Sequence, residues 1–191
     1  MGLFSQLGKS GAGKTQADVV AGENGVVRNL AITGAKMTAY QRSGVIAGVC
    51  FGLVENCYIE AEVTITGTAS YQIGGVIAGE MGYQSAADGI GLVRNNVINC
   101  KTNSQTGAIT GYMKCGGSQD VAEMNANVPT YVVNNYVVID DMARKALFSL
   151  TTITAVGTNV LFEMSGIAGI MFDLDTAIWN ITSGSLPTLK K

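Results

Sequence analysis

The chain has 191 residues, enough to bury a full hydrophobic core, and 47% of them are hydrophobic. Only 14% are charged and the net charge is -2, which excludes a disordered tail and gives no basic surface for nucleic acid. The chain has 25 glycines, two prolines and no histidine. This composition is typical of strands and tight turns, and it excludes the catalytic arrangements that need an imidazole.

The first motif in chain order is Gly8 to Thr15, which matches the phosphate-binding pattern G-x-x-x-x-G-K-[ST]. Its candidate residues are Gly8, Gly13, Lys14 and Thr15. The mechanism needs a buried strand before the loop and a long helix after it. Residues 2–7 are short and polar in their middle, and glycines interrupt the following segment after two turns. We therefore expect a glycine-rich insert in a first partial coil (1–24), and nucleotide binding remains an alternative.

A short phrase then recurs along residues 25–139: an aliphatic residue, any residue, Asn and, three residues later, another aliphatic. Its four copies are Val27-Arg28-Asn29 with Ile32, Val54-Glu55-Asn56 with Ile59, Val93-Arg94-Asn95 with Ile98, and Val132-Val133-Asn134 with Val137. Asn tolerates the left-handed backbone region better than most residues. We predict that each of the four asparagines forms a corner.

The segment that follows the second corner shows what comes next in each unit. From Cys57 to Thr66, apolar and polar residues alternate, which predicts a strand with one buried face. Asn96 and Asn135 fall at the position of Leu30 and Cys57, which should be interior. We expect stacked asparagines to hydrogen-bond along the interior, as in ladders of identical residues.

A second phrase is rich in glycine and precedes each corner. It reads Gly44-Val45-Ile46-Ala47-Gly48, Gly75-Val76-Ile77-Ala78-Gly79 and Gly107-Ala108-Ile109-Thr110-Gly111. The spacing between this phrase and the next corner varies, so insertions fall at one place in every unit. We expect edge loops at residues 8–21, 81–90, 112–129 and 156–175.

These patterns predict an all-β fold, a right-handed parallel β-helix (β-solenoid) with loop insertions at one edge. We expect one domain over residues 1–191, closed by a C-terminal coil and closing strands at 140–191. Of the four cysteines, Cys57 and Cys100 fall on inward positions, so we expect free, mostly buried thiols. No apolar run is long enough to span a membrane, and no secretory signal is visible.

The combined phrases resemble GLUG-motif repeats of bacterial secreted and cell-surface proteins. The resemblance rests on residues 43–48 leading to 52–59 and on residues 73–79 leading to 91–95. Ile178-Trp179-Asn180-Ile181 and Leu186-Pro187-Thr188-Leu189 are similar to the closing strands of such modules. The resemblance implies an extracellular or cell-surface β-solenoid that is attached to flanking modules, and it supplies no catalytic residues.

Few side chains suggest a site. Tyr58 and Tyr136 each follow a corner at an outward position, where exposed rings could stack on sugars. The acidic pairs Asp140–Asp141 and Asp173–Asp175 could bind calcium or act as glycosidase acids. Solvated acids in turns and an exposed strand face are the simpler interpretations of these residues.

We therefore expect a non-catalytic structural or adhesion module without a cofactor, whose edge loops bind a glycan or a host or cell-surface protein. The alternatives are a nucleotide-binding protein and a polysaccharide-active β-helix enzyme.

Overall fold

The computed structural model describes residues 2–9, 15–82, 91–113, 128–140 and 158–191. Within these residues the chain is mainly strand, and helix is confined to short pieces. The helical pieces are α1 (Gln16–Ala21), residues 128–131 and a 3-10 helix at Met164–Gly169. The prediction of a mainly β chain is confirmed.

Seventeen strands are described. In chain order they are β1 (Phe4–Leu7), β2 (Val26–Arg28), β3 (Ala31–Ala39), β4 (Ala47–Cys50), β5 (Leu53–Glu55), β6 (Tyr58–Ile65), β7 (Gly74–Gly75), β8 (Ala78–Met81), β9 (Leu92–Arg94), β10 (Val97–Thr102), β11 (Thr106–Gly107), β12 (Thr110–Met113), β13 (Val132–Val133), β14 (Tyr136–Ile139), β15 (Val160–Phe162), β16 (Trp179–Asn180) and β17 (Thr188–Leu189).

Three parallel sheets contain most of these strands. Sheet A has the order β1-β4-β8-β12, sheet B the order β2-β5-β9-β13, and sheet C the order β3-β6-β10-β14-β15. A small parallel sheet joins β7 to β11. The chain passes from sheet A to sheet B to sheet C and then returns to sheet A, as in β4, β5 and β6. Neighbouring strands of one sheet therefore come from successive segments of the chain.

All four predicted corners are confirmed. Asn29, Asn56, Asn95 and Asn134 have φ angles of 53°, 52°, 57° and 54°. Each lies between a sheet B strand and the following sheet C strand. Asn suits this left-handed conformation because its short polar side chain can bond nearby groups. The side chain of Asn134, for example, donates to Asn95 Oδ1 at 3.0 Å.

Equivalent aliphatic residues of the recurring phrase are strand neighbours, as the sequence predicts. In sheet B, Val54 pairs with Val27 on one side and Val93 on the other, and Val93 pairs with Val132. In sheet C, the neighbours in order are Ile32, Ile59, Ile98 and Val137. Most of these side chains are fully buried in one core between the sheets. Each buried aliphatic side chain contributes about 1.5–3 kcal/mol.

The glycine phrase is explained by close approach of neighbouring segments. A Cβ atom at Gly75 would lie 2.3 Å from the Cα of Thr110, and one at Gly79 would lie 2.2 Å from the carbonyl carbon of Arg42. Side chains at these positions would overlap the backbone of the adjacent segment. Glycine is therefore required here by packing, although the φ angles of both residues lie outside the left-handed region.

The interior asparagine ladder is confirmed and extends one residue further than predicted. Asn135 Nδ2 donates to Asn159 Oδ1 at 2.8 Å, and Asn96 Nδ2 donates to Asn135 Oδ1 at 2.9 Å. The same Asn135 amide also donates to the carbonyl oxygen of Val93 at 3.1 Å. All three asparagines are 0% exposed. The ladder satisfies buried polar groups that would otherwise cost free energy.

Cys50, Cys57 and Cys100 are free and buried, which confirms the expectation for Cys57 and Cys100. Burial raises the pKa of Cys50 and Cys100 to about 12 and that of Cys57 to about 11. Cys115 lies outside the described residues. The three described thiols act as small apolar side chains.

The C-terminal residues differ from the expectation in two ways. Part of the expected loop 156–175 is structured, because β15 adds a fifth strand to sheet C and the 3-10 helix follows it. In addition, β16 and β17 pair with each other, antiparallel, with Trp179 opposite Leu189, and with no other strand of the described ranges. The expected closing strands thus form a hairpin that packs on the outer face of sheet C instead of extending a sheet. The expected loops 81–90 and 112–129 lie mostly outside the described residues.

Candidate functional site

The phosphate-loop candidates are only partly described, since Gly13 and Lys14 lie outside the described residues. Gly8 has a φ of 82°, and Thr15 is the N-cap of α1, where its hydroxyl accepts from the Asp18 amide. The preceding strand β1 is mostly exposed, and α1 has six residues. The described flanks therefore lack the buried strand and the long helix that the nucleotide-binding mechanism needs.

The acidic candidates are exposed wherever the structure describes them. Asp140 is exposed after β14, and Asp141 lies outside the described residues. Asp173 and Asp175 are exposed in the C-terminal segment, where Asp175 Oδ1 accepts from the Ala177 amide at 2.8 Å. Among the described residues, no group of three or more acidic, Cys or His side chains could hold a metal ion. Asp175 thus stabilises a turn.

Tyr58 and Tyr136 belong to one row of sheet C, because both pair with Val97. The predicted exposure of Tyr136 is wrong: the residue is 3% exposed. Its ring lies 4.8 Å from that of Phe172, and its hydroxyl accepts from the Asp173 amide at 2.6 Å. Burial raises the pKa of Tyr136. A sugar cannot stack on this ring while the C-terminal segment covers it.

The C-terminal segment, defined here as residues 163–191, covers only the apolar part of the outer face of sheet C. It packs through a second core whose largest fully buried side chain is Trp179, at 1% exposed. The sheet residues below it are Tyr58, Val97, Tyr136, Val138, Val160 and Phe162. Side-chain packing and the hydrogen bond from the Asp173 amide to the Tyr136 hydroxyl hold the segment on the sheet, and β16 and β17 form no backbone pairing with the strands of sheet C.

The rest of this face is polar, and the described part of the chain leaves it open. One row of in-register neighbours across sheet C consists of Glu60, Asn99, Val138 and Phe162, so it begins with two polar residues and ends with two apolar ones. The change from polar to apolar residues marks where the covered part begins. The sheet C groove, as we name it, has a volume of about 260 Å³ and includes Lys36, Glu60, Glu62, Asn99 and Lys101 in its lining.

Charges of both signs alternate across the sheet C groove. Glu62 pairs in register with Lys36 and Lys101 on its two sides. The Lys36 ammonium lies 3.8 Å from a Glu62 carboxylate oxygen, and both side chains are more than half exposed. Such an exposed pair contributes little to stability, about 0–1 kcal/mol. These groups remain available to bind a polar ligand. Asp140 borders the far end of this surface with Glu62 and Lys101.

A second and larger depression adjoins the sheet C groove where the C-terminal segment meets β3 and β6. This lysine cleft, as we name it, has a volume of about 530 Å³. It is lined by Asn29, Ala31, Thr33, Tyr58, Glu60, Thr188, Leu189, Lys190 and Lys191. Glu60 lines both depressions, so the two are adjacent.

Tyr58 is half-buried at the junction of the covered and open parts of the face. Burial raises the pKa of its hydroxyl, the nearby Glu60 carboxylate raises it further, and a hydrogen bond with the Asn99 side chain opposes the change. The hydroxyl is therefore protonated at neutral pH and can donate a hydrogen bond. The ring offers an apolar surface next to polar groups.

Two clusters, each built around a buried glutamate, were missed by the sequence reasoning. Glu55 lies between two arginines of sheet B, with its carboxylate 2.8 Å from Arg94 and 3.9 Å from Arg28. Glu80 is 2% exposed in sheet A and accepts from the Tyr112 hydroxyl at 2.6 Å. Each glutamate lies in a short strand whose other residues are not charged, and this is the feature of the sequence that could have identified it. Neither cluster lines the sheet C groove or the lysine cleft.

No family model, no curated protein and no solved structure matches this chain. Within the described residues, no helix is both long and apolar enough to cross a membrane.

The residues of the sheet C groove were also not identified from the sequence as a site, although their alternation with buried residues in β6 and β10 marks them as outward.

Proposed function

We propose that this chain is a right-handed parallel β-helix of the GLUG-motif type and serves as a non-catalytic binding module of a bacterial secreted or cell-surface protein. Its ligand is a glycan that lies along the outer face of sheet C. Flanking modules, or a host or cell-surface protein, are its other partners. The loops that leave one edge of the β-helix provide additional contacts.

The parallel β-helix is supported by the order in which the chain visits the sheets. Each passage through sheets A, B and C places the next strand beside its predecessor, with matching aliphatic residues in register. Right-handedness follows the strong general preference of parallel crossover connections. A stack of this kind is rigid because every segment is packed and hydrogen-bonded to its neighbours.

The observation that carries the binding role is the open polar part of sheet C beside the covered apolar part. Carboxylate, amide and ammonium groups that line the sheet C groove can bond sugar hydroxyls, and the half-buried aromatic side chain of Tyr58 lines the adjoining lysine cleft. Sugar binding commonly combines an apolar ring contact with a few placed polar groups. The groove is shallow and solvent-exposed, which suits an extended polymer better than a small substrate.

A glycan-array screen of the purified chain tests this proposal. The wild-type protein should bind a subset of oligosaccharides, and Asn99→Ala should weaken that binding. Asn180→Ala, at an exposed position of the hairpin, is the matched control and should leave it unchanged. Binding that is insensitive to Asn99→Ala, or release of shortened sugars during the incubation, would refute a non-catalytic site in the sheet C groove.

A further inference from the structure

Sheets B and C each end in an edge strand at the same end of the stack. Among the described residues, β2 pairs only with β5, and β3 pairs only with β6, so one side of each strand has no partner. We name these two unpaired sides together the open edge. An unpaired strand edge presents backbone N–H and C=O groups that can bond another strand. The open edge can therefore accept one further strand on each sheet.

The aliphatic side chains behind the open edge are incompletely covered. Ile32 and Met37 of β3 are only partly buried against the core, whereas their in-register neighbours Ile59 and Val63 in β6 are 0% exposed. The difference arises because β6 lies between two strands and β3 does not. A further strand would remove this apolar surface from water, which favours docking.

In sheet B, a row of alternating charge stops at the open edge. Glu55 lies in register between Arg28 of β2 and Arg94 of β9. The Glu55 carboxylate lies 2.8 Å from Arg94 but 3.9 Å from Arg28, whose side chain is 55% exposed. A guanidinium group has five N–H donors, so Arg28 can also bond a carboxylate on its open side.

A row in sheet C ends in the same way. Glu62 lies in register between Lys36 and Lys101, and the Lys36 side chain is 82% exposed. Both rows thus begin at the open edge with a basic residue, followed by an acidic and then a second basic one. The acidic strands β5 and β6 cover one side of β9 and β10. The corresponding side of β2 and β3, which carry the same basic charges, is the side left open.

We propose that the open edge binds a partner protein through an acidic segment that has the pattern of β5 and β6. This docking segment consists of a strand, an Asn corner and a second strand, with carboxylates in the rows of Arg28 and Lys36. It pairs with β2 and β3 in parallel, as β5 and β6 pair with β9 and β10. Addition of a strand to a sheet edge is a common mode of peptide recognition. The interaction goes beyond glycan binding and does not depend on it.

An irregularity in β3 restricts which segments can dock. The pairing of β3 with β6 shifts between Ile32 and Ala35, and Gly34 between them has a φ of 64°. Bulges and lysines on edge strands disfavour unselective pairing. A docking segment must therefore pair on both sides of this bulge and neutralise Lys36, which selects a segment with acids in register.

A second copy of the chain does not meet this requirement. At the other end of the stack, the last described strand of sheet B is β13, where Val133 continues the row of Arg28 through Arg94. Val133 offers no carboxylate to Arg28 of another copy stacked end to end. The charges therefore favour a different protein as the occupant.

Titration of the isotope-labelled chain with two peptides, followed by backbone amide resonances, tests the proposal. The acidic peptide copies residues 53–66 with Cys57→Ala, and the reversed peptide differs from it only by Glu55→Arg and Glu62→Lys. The acidic peptide should shift the amide resonances of β2 and β3. It should bind about fivefold or more tightly than the reversed peptide, because two attractive exposed pairs replace two repulsive ones.

Charge reversal in the chain gives the matched comparison. Lys36→Glu should weaken binding of the acidic peptide about threefold or more and strengthen binding of the reversed one. Lys101→Glu makes the same charge change beside the same Glu62, but at three strand spacings, about 14 Å, from the docked strand. At about 0.15 M salt the screening length is about 8 Å, so Lys101→Glu should change the affinity less than about 1.5-fold. Circular dichroism melts check that both variants are folded.

Each other outcome would overturn the proposal: equal affinity of the two peptides, equal effects of the two variants, shifts confined to strands other than β2 and β3, or no shift with either peptide at millimolar concentration. Self-association of the chain alone, with shifts in β2 and β3 as its concentration rises, would assign the open edge to a second copy and also overturn it. The glycan array tests sugar binding separately, so the two proposals can fail independently.

Discussion

The asparagine ladder provides the sharpest test of the interior. In Asn135→Asp the side chain keeps its shape but loses its amide donors. Asn135 Nδ2 donates to Val93 O at 3.1 Å and to Asn159 Oδ1 at 2.8 Å, so a carboxylate oxygen would face two acceptors. The residue is 0% exposed, and water cannot compensate the charge. Two lost hydrogen bonds and an unpaired buried charge should together cost about 3–5 kcal/mol.

This loss is large compared with a typical domain stability of about 5–15 kcal/mol. For a chain of this size it corresponds to a fall in melting temperature of about 6–20 °C. Urea unfolding followed by circular dichroism and by the fluorescence of Trp179, the single tryptophan, measures it. Asn180→Asp makes the same chemical change at an exposed position and should stay within about 0.5 kcal/mol of wild type. If the two variants were equally stable, the ladder would not contribute as argued.

Three further predictions test the close approaches, the corners and the buried thiols. Gly75→Ala should destabilise the protein by about 1–3 kcal/mol, because its Cβ would lie 2.3 Å from Thr110 Cα. Gly166→Ala is the control: no atom lies within 4 Å of its added Cβ, so this variant should be neutral or stabilising. Thermal melts measure both effects. At Asn56, the corner with a φ of 52°, substitution by Gly should be tolerated, and Asn56→Ala should lower the free energy of unfolding by about 1 kcal/mol more than Asn56→Gly does. Equal melting temperatures of the two variants would argue against the left-handed corner. In a Cys115→Ser background, no thiol should react with a thiol reagent at pH 8 until urea unfolds the chain. Burial raises the pKa of Cys50 and Cys100 to about 12 and that of Cys57 to about 11, so little of the reactive thiolate is present at pH 8. Rapid labelling of the native protein would contradict this prediction.

The corners and the rows of equivalent aliphatic residues in sheets B and C were predictable from the sequence, because they depend on local chemistry and on side-chain periodicity. Asn tolerates the left-handed region, and alternation assigns each residue of a strand to one face. The same periodicity placed Asn96 and Asn135 inside. Asn159 was missed because the recurring phrase breaks down before it.

The covering of sheet C could not be predicted in the same way. Alternation shows that Tyr136 points outward, but it does not show what packs against an outward face. The hairpin of Trp179 and Leu189 is held by side-chain contacts, which leave no periodic signal in the sequence. The lysine cleft forms between this hairpin and β3, about 150 residues apart in the chain, so its composition became visible only in the structure.

The parallel stacking of successive segments is the claim on which the other conclusions depend, and nuclear Overhauser contacts between backbone protons test it most directly. We predict contacts between Val54 and Val93 and between Val93 and Val132, which are each 39 residues apart and in register. The same pattern should link Ile59, Ile98 and Val137 in sheet C. Contacts confined to residues three and four apart, as in helices, or cross-strand contacts of antiparallel type between these segments, would contradict the stacked arrangement.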